Sequence, residues 1–211
     1  IVKSIDTSKA EALAGVERVA TAQDVRGTRR YGLIEQDWAS FIAIGETTCM
    51  VGDVIAAVAA TDRVTARKAA ELIVIEYEVL EPITDSVAAM AADSPQVHAN
   101  RGNLLSTTKY ARGDVDAAFV SSAHVVKDTF HTQTIEHLYM EPESCLVVPD
   151  GQRLQVFSQG QGVYDDRRQL SRALDLPDSD INVTLVNNGG AFGGKEDMSV
   201  QVQTCLLAQL T

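Results

Sequence analysis

A glycine-rich segment near the C-terminus constrains this chain more than any other feature. Residues 188–197 read NGGAFGGKED, so four glycines surround one aromatic residue, and the segment directly follows the apolar run 181–186. Glycine permits left-handed backbone and lets the main chain approach a ligand closely, because it has no Cβ. A strand that runs into such a segment, ahead of a helix-forming stretch, predicts a ligand-binding loop, with a purely structural turn as the alternative.

Two motifs come close to nucleotide-binding patterns and fail them. The spacing from Gly189 to Lys195 matches a phosphate-binding loop, but the next position is Glu196, where that loop needs Ser or Thr to hold magnesium. A carboxylate at that position would repel phosphates. The segment 160–162 is a Gly-x-Gly, but Asp165 stands where a dinucleotide fingerprint needs its third glycine. Both motifs therefore argue against nucleotide binding.

The first part of the chain alternates between strand and helix patterns. Apolar or alternating runs predict strands, and one polar-apolar pattern predicts a helix that Thr61 could cap. This alternation predicts a mixed α/β domain over residues 1–92. The predicted strands are 2–5, 16–20, 54–60 and 73–78, the predicted helices are 9–13 and 62–72, and residues 26–48 are predicted to be irregular.

The second part of the chain follows a stretch without periodicity. Residues 93–107 are rich in Asp, Ser, Pro, Asn and Gly and are therefore predicted to be a linker. Residues 108–211 then alternate again. The pattern predicts helices at 113–119, 163–174 and 200–211, a strand at 124–133, a hairpin of 145–148 with 154–158, and a strand at 181–186.

Charge, cysteine usage and hydropathy exclude several classes of function. The chain has 18 basic and 29 acidic residues, a formal net charge of −11, which argues against sequence-independent binding of nucleic acid. No apolar run approaches the roughly 18 residues of a membrane span. Three widely separated cysteines favour reduced thiols and a cytoplasmic location. The four histidines show no zinc spacing, and His137 is more typical of a structural histidine.

Five separated segments together resemble one known family, the xanthine dehydrogenase/aldehyde oxidase family of molybdenum hydroxylases. Segments 136–142 (EHLYMEP), 157–159 (FSQ) and 189–196 resemble the first part of its molybdenum-cofactor-binding domain. Segments 51–59 and 75–80 resemble its a/b-hammerhead domain. The resemblance spans nearly the whole chain and implies an α+β fold: the hammerhead at 1–92, the linker at 93–107, and the N-terminal part of the cofactor-binding domain at 108–211.

The resemblance also implies a cofactor and roles for individual residues. The cofactor is molybdenum bound by molybdopterin, without direct protein ligands to the metal. Gln159 matches a glutamine that hydrogen-bonds an oxo ligand of the metal. Gly190, Phe192 and Gly193 match the cofactor loop, in which Gly193 offers its N–H and Phe192 walls the substrate pocket. Lys195 follows the family pattern, with a solvated charge at a helix entry as an equal alternative.

Glu196 matches a glutamate that contacts the heterocycle in purine-oxidising members of the family. The resemblance therefore implies xanthine, hypoxanthine or a related N-heteroaromatic as substrate. An acidic residue at a helix N-terminus is the structural alternative for Glu196. An aldehyde-oxidising member and a non-catalytic docking module are the alternatives for the function.

The resemblance finally implies what else the enzyme needs. The expected partners are the rest of the molybdenum subunit and iron–sulfur and FAD centres on partner chains or domains, with no nucleic acid or membrane partner. The family's catalytic base lies downstream of Thr211, so no catalytic residue is assigned within this chain. We therefore expect the isolated 211 residues to be inactive. A strand-like start without Met and a helix-like end suggest a piece of something longer.

Overall fold

The computed structural model describes residues 1–98 and 102–211. These residues form two compact units. One combines Ile1–Leu80 with His137–Thr211, and the other is Glu81–Glu136. Part of the predicted linker, residues 99–101, lies outside the described residues. The architecture is α+β, and the domain boundaries at residues 92 and 107 stay predictions.

The N-terminal part of the first unit consists of short antiparallel strand pairs with two helices. Strand β1 pairs with β6, β2 with β5 and β3 with β4. The elements are β1 (Val2–Asp6), α1 (Ser8–Glu11), β2 (Val16–Thr21), β3 (Arg30–Tyr31), β4 (Trp38–Ala39), β5 (Ala56–Ala60), α2 (Arg63–Leu72) and β6 (Val74–Tyr77).

The structure corrects two details of this part. Asp62, and not Thr61, caps α2, because its carboxylate accepts the N–H groups of Val64 at 2.8 Å and Thr65 at 3.0 Å. Within the predicted irregular stretch 26–48, β3 and β4 form a two-residue pair. Two residues are too few for a periodic pattern, so sequence reasoning could not find these strands.

The second unit contains two short helices, α3 (Ser86–Ala89) and α4 (Val115–Ser121). Asp114 caps α4 by accepting the N–H of Ala117 at 2.9 Å, which confirms the helix predicted nearby. The strand predicted at 124–133 is wrong, because the described part of this unit contains no strand. Val126 and Phe130 from the alternating pattern are 91% and 86% exposed, so no core selects one face of it.

The C-terminal part of the first unit is a three-stranded sheet with two helices. Its elements are β7 (Cys145–Asp150), β8 (Arg153–Ser158), α5 (Val163–Leu174), β9 (Ile181–Leu185) and α6 (Gln201–Leu210). The hairpin β7–β8 is antiparallel, as predicted, whereas β8 and β9 are parallel. Because α5 connects two neighbouring parallel strands, the loops after β8 and after β9 leave the sheet at the same edge.

One hydrophobic core holds both parts of the first unit together. Leu170 and Leu174 of α5 and Val202 of α6 are almost completely buried in it, and Phe41 from the N-terminal part is fully buried in the same cluster. Inward residues alternate along β8, where Leu154, Val156 and Ser158 are buried. No helix among residues 1–98 and 102–211 is long and apolar enough to cross a bilayer.

Candidate functional site

The two segments that carry the predicted site residues meet at the carboxyl ends of β8 and β9. Ser158 and Leu185 form the last register pair of the parallel ladder. Beyond that pair, the N–H of Val186 donates to the carbonyl oxygen of Ser158 at 3.0 Å. Gln159 therefore lies beside Asn187 at the start of the glycine-rich segment.

Three hydrogen bonds fix the side chain of Gln159. Its Nε2 donates to Glu141 Oε2 at 3.1 Å and to the carbonyl oxygen of Asn187 at 3.2 Å. Its Oε1 accepts the hydroxyl of Ser144 at 3.1 Å. A carboxylate accepts and does not donate, so the bond to Glu141 identifies which end of the amide carries the nitrogen.

The glycine-rich segment contains a tight turn built around Phe192. The N–H of Gly194 donates to the carbonyl oxygen of Ala191 at 2.8 Å. The two central residues are both left-handed, with φ of +54° at Phe192 and +88° at Gly193, as in a type I′ turn. A bulky residue rarely adopts positive φ, so the turn holds Phe192 in a strained backbone. The Phe192 side chain is 74% exposed.

Close packing explains the other glycines of this segment. A Cβ on Gly190, whose φ is +105°, would lie 2.8 Å from the Phe192 ring. A Cβ on Gly194 would lie 3.0 Å from the His137 ring and 3.1 Å from the Tyr139 ring. A side chain at Gly194 would push the glycine-rich segment away from His137 and Tyr139, and one at Gly190 would displace the Phe192 ring. The glycines therefore serve packing as well as backbone freedom.

Gln161 joins the loop after β8 to this turn, and sequence reasoning missed it. Its Oε1 accepts two main-chain N–H groups, from Gly193 at 3.1 Å and from Lys195 at 3.2 Å. Its own N–H donates to the carbonyl oxygen of Lys195 at 3.0 Å. The Gly193 N–H, which the resemblance assigns to the cofactor, is thus directed at Gln161 in this structure.

Lys195 is buried, which corrects its interpretation as a solvated charge at a helix entry. Its side chain is 2% exposed, and Nζ donates to the carbonyl oxygen of Glu141 at 2.8 Å. Nζ also lies 4.3 Å from the centre of the Tyr139 ring, within cation–π distance. The lysine therefore ties the glycine segment to residues 139–141.

Glu196 is exposed and makes no hydrogen bond with any residue in 1–98 or 102–211. Helix α6 begins only at Gln201. A helix macrodipole acts mainly within the first turn of the helix. Glu196 lies five residues before α6, so it does not act as an acid at the helix N-terminus. The carboxylate remains available for another contact.

A buried carboxylic acid, which the sequence did not reveal, lies behind the loop after β8. Asp166, in the first turn of α5, is 1% exposed, and a Cβ on Gly160 would lie 2.6 Å from its Oδ2. Burial and the charge of Asp165 raise the pKa of Asp166 to about 7, although the nearby Ser158 hydroxyl lowers it. Ser158 Oγ also accepts N–H groups from Gly160 and from the Gln201 amide, each at 3.1 Å.

The main chain of the glycine segment offers donors to a ligand. The N–H groups of Ala191 and Phe192 donate to no other residue that the structure describes, although Ala191 is buried. Buried N–H groups rarely remain unpaired in proteins. A ligand with anionic oxygens, such as the oxo and phosphate groups of a metal–pterin cofactor, matches these donors. The residues present thus fit such a group.

A cleft or a metal site elsewhere in the described residues would be an alternative to this site. A cleft of about 360 Å³ lies in the N-terminal part, where Thr7, Arg18, Thr21 and Asp24 contribute to its lining. Arg18 and Asp24 neutralise each other there in an ion pair. Among the described residues, no group of three His, Cys, Asp or Glu side chains could hold a metal ion directly.

Comparison with known proteins gives two family matches that follow each other along the chain. Residues 1–81 match the "Aldehyde oxidase and xanthine dehydrogenase, a/b hammerhead domain" profile. Residues 94–211 match the "Molybdopterin cofactor-binding domain" profile. Together they cover almost the whole chain, and the second alone covers more than half of it.

Individual relatives agree with these matches. The chain is 36% identical over 211 residues to the nicotinate dehydrogenase large molybdopterin subunit of Eubacterium barkeri, covering 100% of this chain and 49% of that protein. It is 33% identical over 204 residues to the xanthine dehydrogenase molybdenum-binding subunit of Escherichia coli O157:H7, covering 92% and 27%. The crystal structure of quinoline 2-oxidoreductase from Pseudomonas putida 86 matches with a TM-score of 0.82 at 29% identity, covering 99% and 28%. The chain thus spans half or less of each of these proteins.

Proposed function

The chain belongs to the aldehyde oxidase and xanthine dehydrogenase family, and we propose that it helps a molybdenum hydroxylase to hold its cofactor against an N-heteroaromatic substrate, xanthine or another purine. Membership rests on the two family matches, which identify residues 94–211 as a molybdopterin-binding region. The substrate and the complete reaction are our inference.

One observation carries the proposal. The parallel pairing of β8 and β9 brings Gln159 next to the glycine segment, with its Nε2 at 3.2 Å from the Asn187 carbonyl oxygen. The N–H groups of Ala191 and Phe192, which donate to no other described residue, belong to that same segment. An amide side chain and main-chain donors on adjoining loops form a suitable wall for a group that presents several oxygens.

The cofactor, when bound, supplies the two-electron oxidation that inserts a water-derived oxygen into the substrate. The residues of this chain would bind the cofactor and orient the substrate against it. Gln159 directs both N–H bonds of Nε2 at Glu141 and Asn187, so donation to a cofactor oxygen would replace one of them. Ala191, Phe192 and Gly190 keep the loop close to the cofactor.

The substrate side of the proposal rests on Phe192 and Glu196. An exposed aromatic ring in a strained loop provides a flat apolar wall for a heteroaromatic ring. The exposed carboxylate of Glu196 makes no hydrogen bond with the described residues, so it can accept one from a ring N–H. Simple aldehydes lack such ring N–H groups, which makes Glu196 the residue that should separate the two substrate classes.

The proposal includes partners outside this chain. Electrons would pass to iron–sulfur centres and FAD on other chains or domains, and the remaining molybdenum subunit would supply the catalytic base. Gln159, Gly190, Phe192 and Gly193 would contact the cofactor, and Glu196 and Phe192 the substrate. The alternatives are an aldehyde-oxidising enzyme and a docking module without catalysis.

The test uses the complete enzyme purified with its partner subunits. We expect about one molybdenum and one pterin per copy of this chain. Gln159→Ala should lower kcat/KM for the purine by about 100-fold or more, as for the loss of a preorganised donor. Gln152→Ala, in the exposed β7–β8 turn, is the matched control and should leave activity unchanged. Absence of molybdenum, or full activity of Gln159→Ala, would favour the docking module.

Glu196→Gln tests the substrate class. The variant should lose about 10- to 100-fold in kcat/KM for purines, because a charge-assisted hydrogen bond to the ring is weakened. Turnover of a simple aldehyde should stay within about twofold of the parent. Glu17→Gln, at an exposed position on β2, is the control. An equal loss for both substrates would contradict the substrate role of Glu196.

A further inference from the structure

We propose that Gln161 is a positioning residue that holds the Phe192–Gly193 turn in its left-handed conformation. This inference rests on the proposed function only for its effect on turnover. Its structural effect on the turn is independent of cofactor and substrate.

The turn needs an external support because its own residues do not favour its shape. Phe192 has a φ of +54°, and a Cβ that carries a ring is disfavoured there. Such strained residues persist only when the surrounding structure over-determines them. The single hydrogen bond within the turn, from Gly194 to Ala191, is common to turns of several types and does not by itself select this one.

Gln161 supplies that support from a single side-chain oxygen and its own main chain. Oε1 uses two acceptor sites, for the N–H of Gly193 at 3.1 Å and that of Lys195 at 3.2 Å. The N–H of Gln161 adds a third bond, to the Lys195 carbonyl oxygen at 3.0 Å. These bonds fix the direction of the peptide units before Gly193 and after Gly194, so a flip of either unit would break at least one of them.

The support is itself anchored in the core. Gly160 donates its N–H to the buried Ser158 Oγ at 3.1 Å, directly before Gln161. On the other side, the carbonyl oxygen of Gly162 accepts the N–H of Asp166 at 2.8 Å, which begins α5. Because both flanks of Gln161 are held by β8 and α5, its side chain acts from a fixed base. The three hydrogen bonds of Gln161 end on Gly193 and Lys195, in and directly after the turn that carries Phe192.

The consequence for function is specific. Gln161 is assigned no contact with cofactor or substrate, and its side-chain oxygen acts through Gly193 and Lys195. Loss of that oxygen should free the turn and move the Phe192 ring from the substrate wall. We therefore expect a higher KM for the substrate, whereas a residue needed for cofactor retention would lower the molybdenum content.

The experiment compares Gln161→Met, which keeps the length but removes the acceptor, with Gln161→Glu, which keeps an acceptor oxygen. Both are made in the complete enzyme, with Gln152→Met as the control. Hydrogen–deuterium exchange of a peptide covering 189–197 should quicken at least about tenfold in Gln161→Met and stay near the parent rate in Gln161→Glu. The KM of Gln161→Met should rise about fivefold or more at unchanged molybdenum content.

A double-mutant comparison covers the case in which Gln161→Met folds poorly. In a Phe192→Gly background the turn contains no strained side chain, so adding Gln161→Met should quicken exchange clearly less than it does in the parent background, because only the N–H groups of Gly193 and Lys195 lose their acceptor. Parent-like exchange in Gln161→Met, or an equal effect of Gln161→Met in both backgrounds, would overturn the proposal. An enzyme without molybdenum would refute the proposed function, yet the exchange measurement would still decide the role of Gln161.

Discussion

Two regions of this protein share a strand–helix–strand pattern, and only one of them builds a candidate site. In β5–α2–β6, the two strands pair with different partners, β2 and β1, and do not lie next to each other. In β8–α5–β9, the strands are parallel neighbours. A shared ladder therefore brings together the loops that follow β8 and β9, whereas no such ladder joins β5 to β6. Adjacency of the strands, rather than the local pattern, creates the site.

The same contrast appears in how the two helices begin. Asp62 caps α2 with a carboxylate that accepts two N–H groups, and this carboxylate is exposed to solvent. Helix α5 starts after Gly162 without a side-chain cap, and its first-turn acid Asp166 is buried against Gly160. A surface cap stabilises a helix and nothing more. The close contact between Asp166 and Gly160 packs the first turn of α5 directly against the loop that carries Gln159 and Gln161.

The largest effect should come from crowding the glycine segment. Gly190→Ala places a Cβ 2.8 Å from the Phe192 ring, at a φ of +105°. We expect kcat/KM of the complete enzyme to fall by about 100-fold, because the ring and the cofactor loop must shift. Gly52→Ala is a matched control with a φ of +109° and no atom within 4 Å of its Cβ. Gly52→Ala should cause a similar backbone strain but leave kcat/KM unchanged. If Gly52→Ala lowered kcat/KM as much as Gly190→Ala, the contrast between the two regions would be lost.

The next effect concerns stability as a function of pH. The folded-state pKa of Asp166 is raised from 3.8 to about 7, so the folded protein keeps a proton that the unfolded chain releases. Stability should therefore decrease as pH rises from about 4 to about 7 and then level off. Asp166→Asn removes this loss and should be more stable than the parent by about 2–4 kcal/mol at pH 8, and similar at pH 4.

Chemical denaturation of both proteins at several pH values measures this difference. The groups facing Asp166 include Asp165, Ser158 and the thiols of Cys145 and Cys205. Asp165→Asn tests the contribution of the neighbouring charge and should flatten the pH dependence only in part. If the stability advantage of Asp166→Asn over the parent protein did not grow between pH 4 and pH 7, the raised pKa of Asp166 would be contradicted.

A smaller effect is expected at Lys195. Lys195→Met keeps the buried volume but removes the donor to the Glu141 carbonyl oxygen and the cation above Tyr139. Stability should fall by about 1–3 kcal/mol, because a part-buried hydrogen bond and the cation–π contact with the Tyr139 ring are both lost. Denaturant unfolding measures this loss, and Lys9→Met, at an exposed position on α1, is the control. A variant as stable as the parent would show that the contact adds nothing.

The smallest effect tests the N-terminal region. Asp62→Ala removes the cap of α2 and should cost about 1 kcal/mol of stability without changing kcat/KM. Thermal unfolding and steady-state kinetics of the same preparation check both statements. A large loss of activity in Asp62→Ala would show that the N-terminal region contributes to the site and would break the comparison.

Much of the fold could be predicted from the sequence where local signals are strong. The helix predicted at 163–174 has the bounds of α5, and the predicted hairpin of 145–148 with 154–158 is observed as β7–β8, with its turn at Gly151 and Gln152. The pattern at 124–133 failed because alternation marks a strand only when a partner strand and a core exist. Its residues are exposed in the structure.

The site could be predicted only in part. Glycine density and the family resemblance identified Gln159 and the 189–196 segment, and in the structure Gln159 is hydrogen-bonded to Asn187 and Asn188, directly before that segment. Their roles at the cofactor stay predictions. Gln161, Asp166 and the burial of Lys195 were missed, because they depend on the parallel pairing of β8 and β9, which no local pattern encodes. A carboxylate in a polar helix start gives no sign in sequence that it will be buried.

The central claim is that Gln159 and the glycine segment contact the cofactor together. Hydrogen–deuterium exchange of the complete enzyme, prepared with and without its molybdenum cofactor, tests this most directly. We predict that the cofactor slows exchange at least about tenfold in peptides covering 157–162 and 187–197, including the N–H groups of Ala191 and Phe192, and leaves 63–72 unchanged. Protection of neither segment, or of only one of them, would contradict this claim.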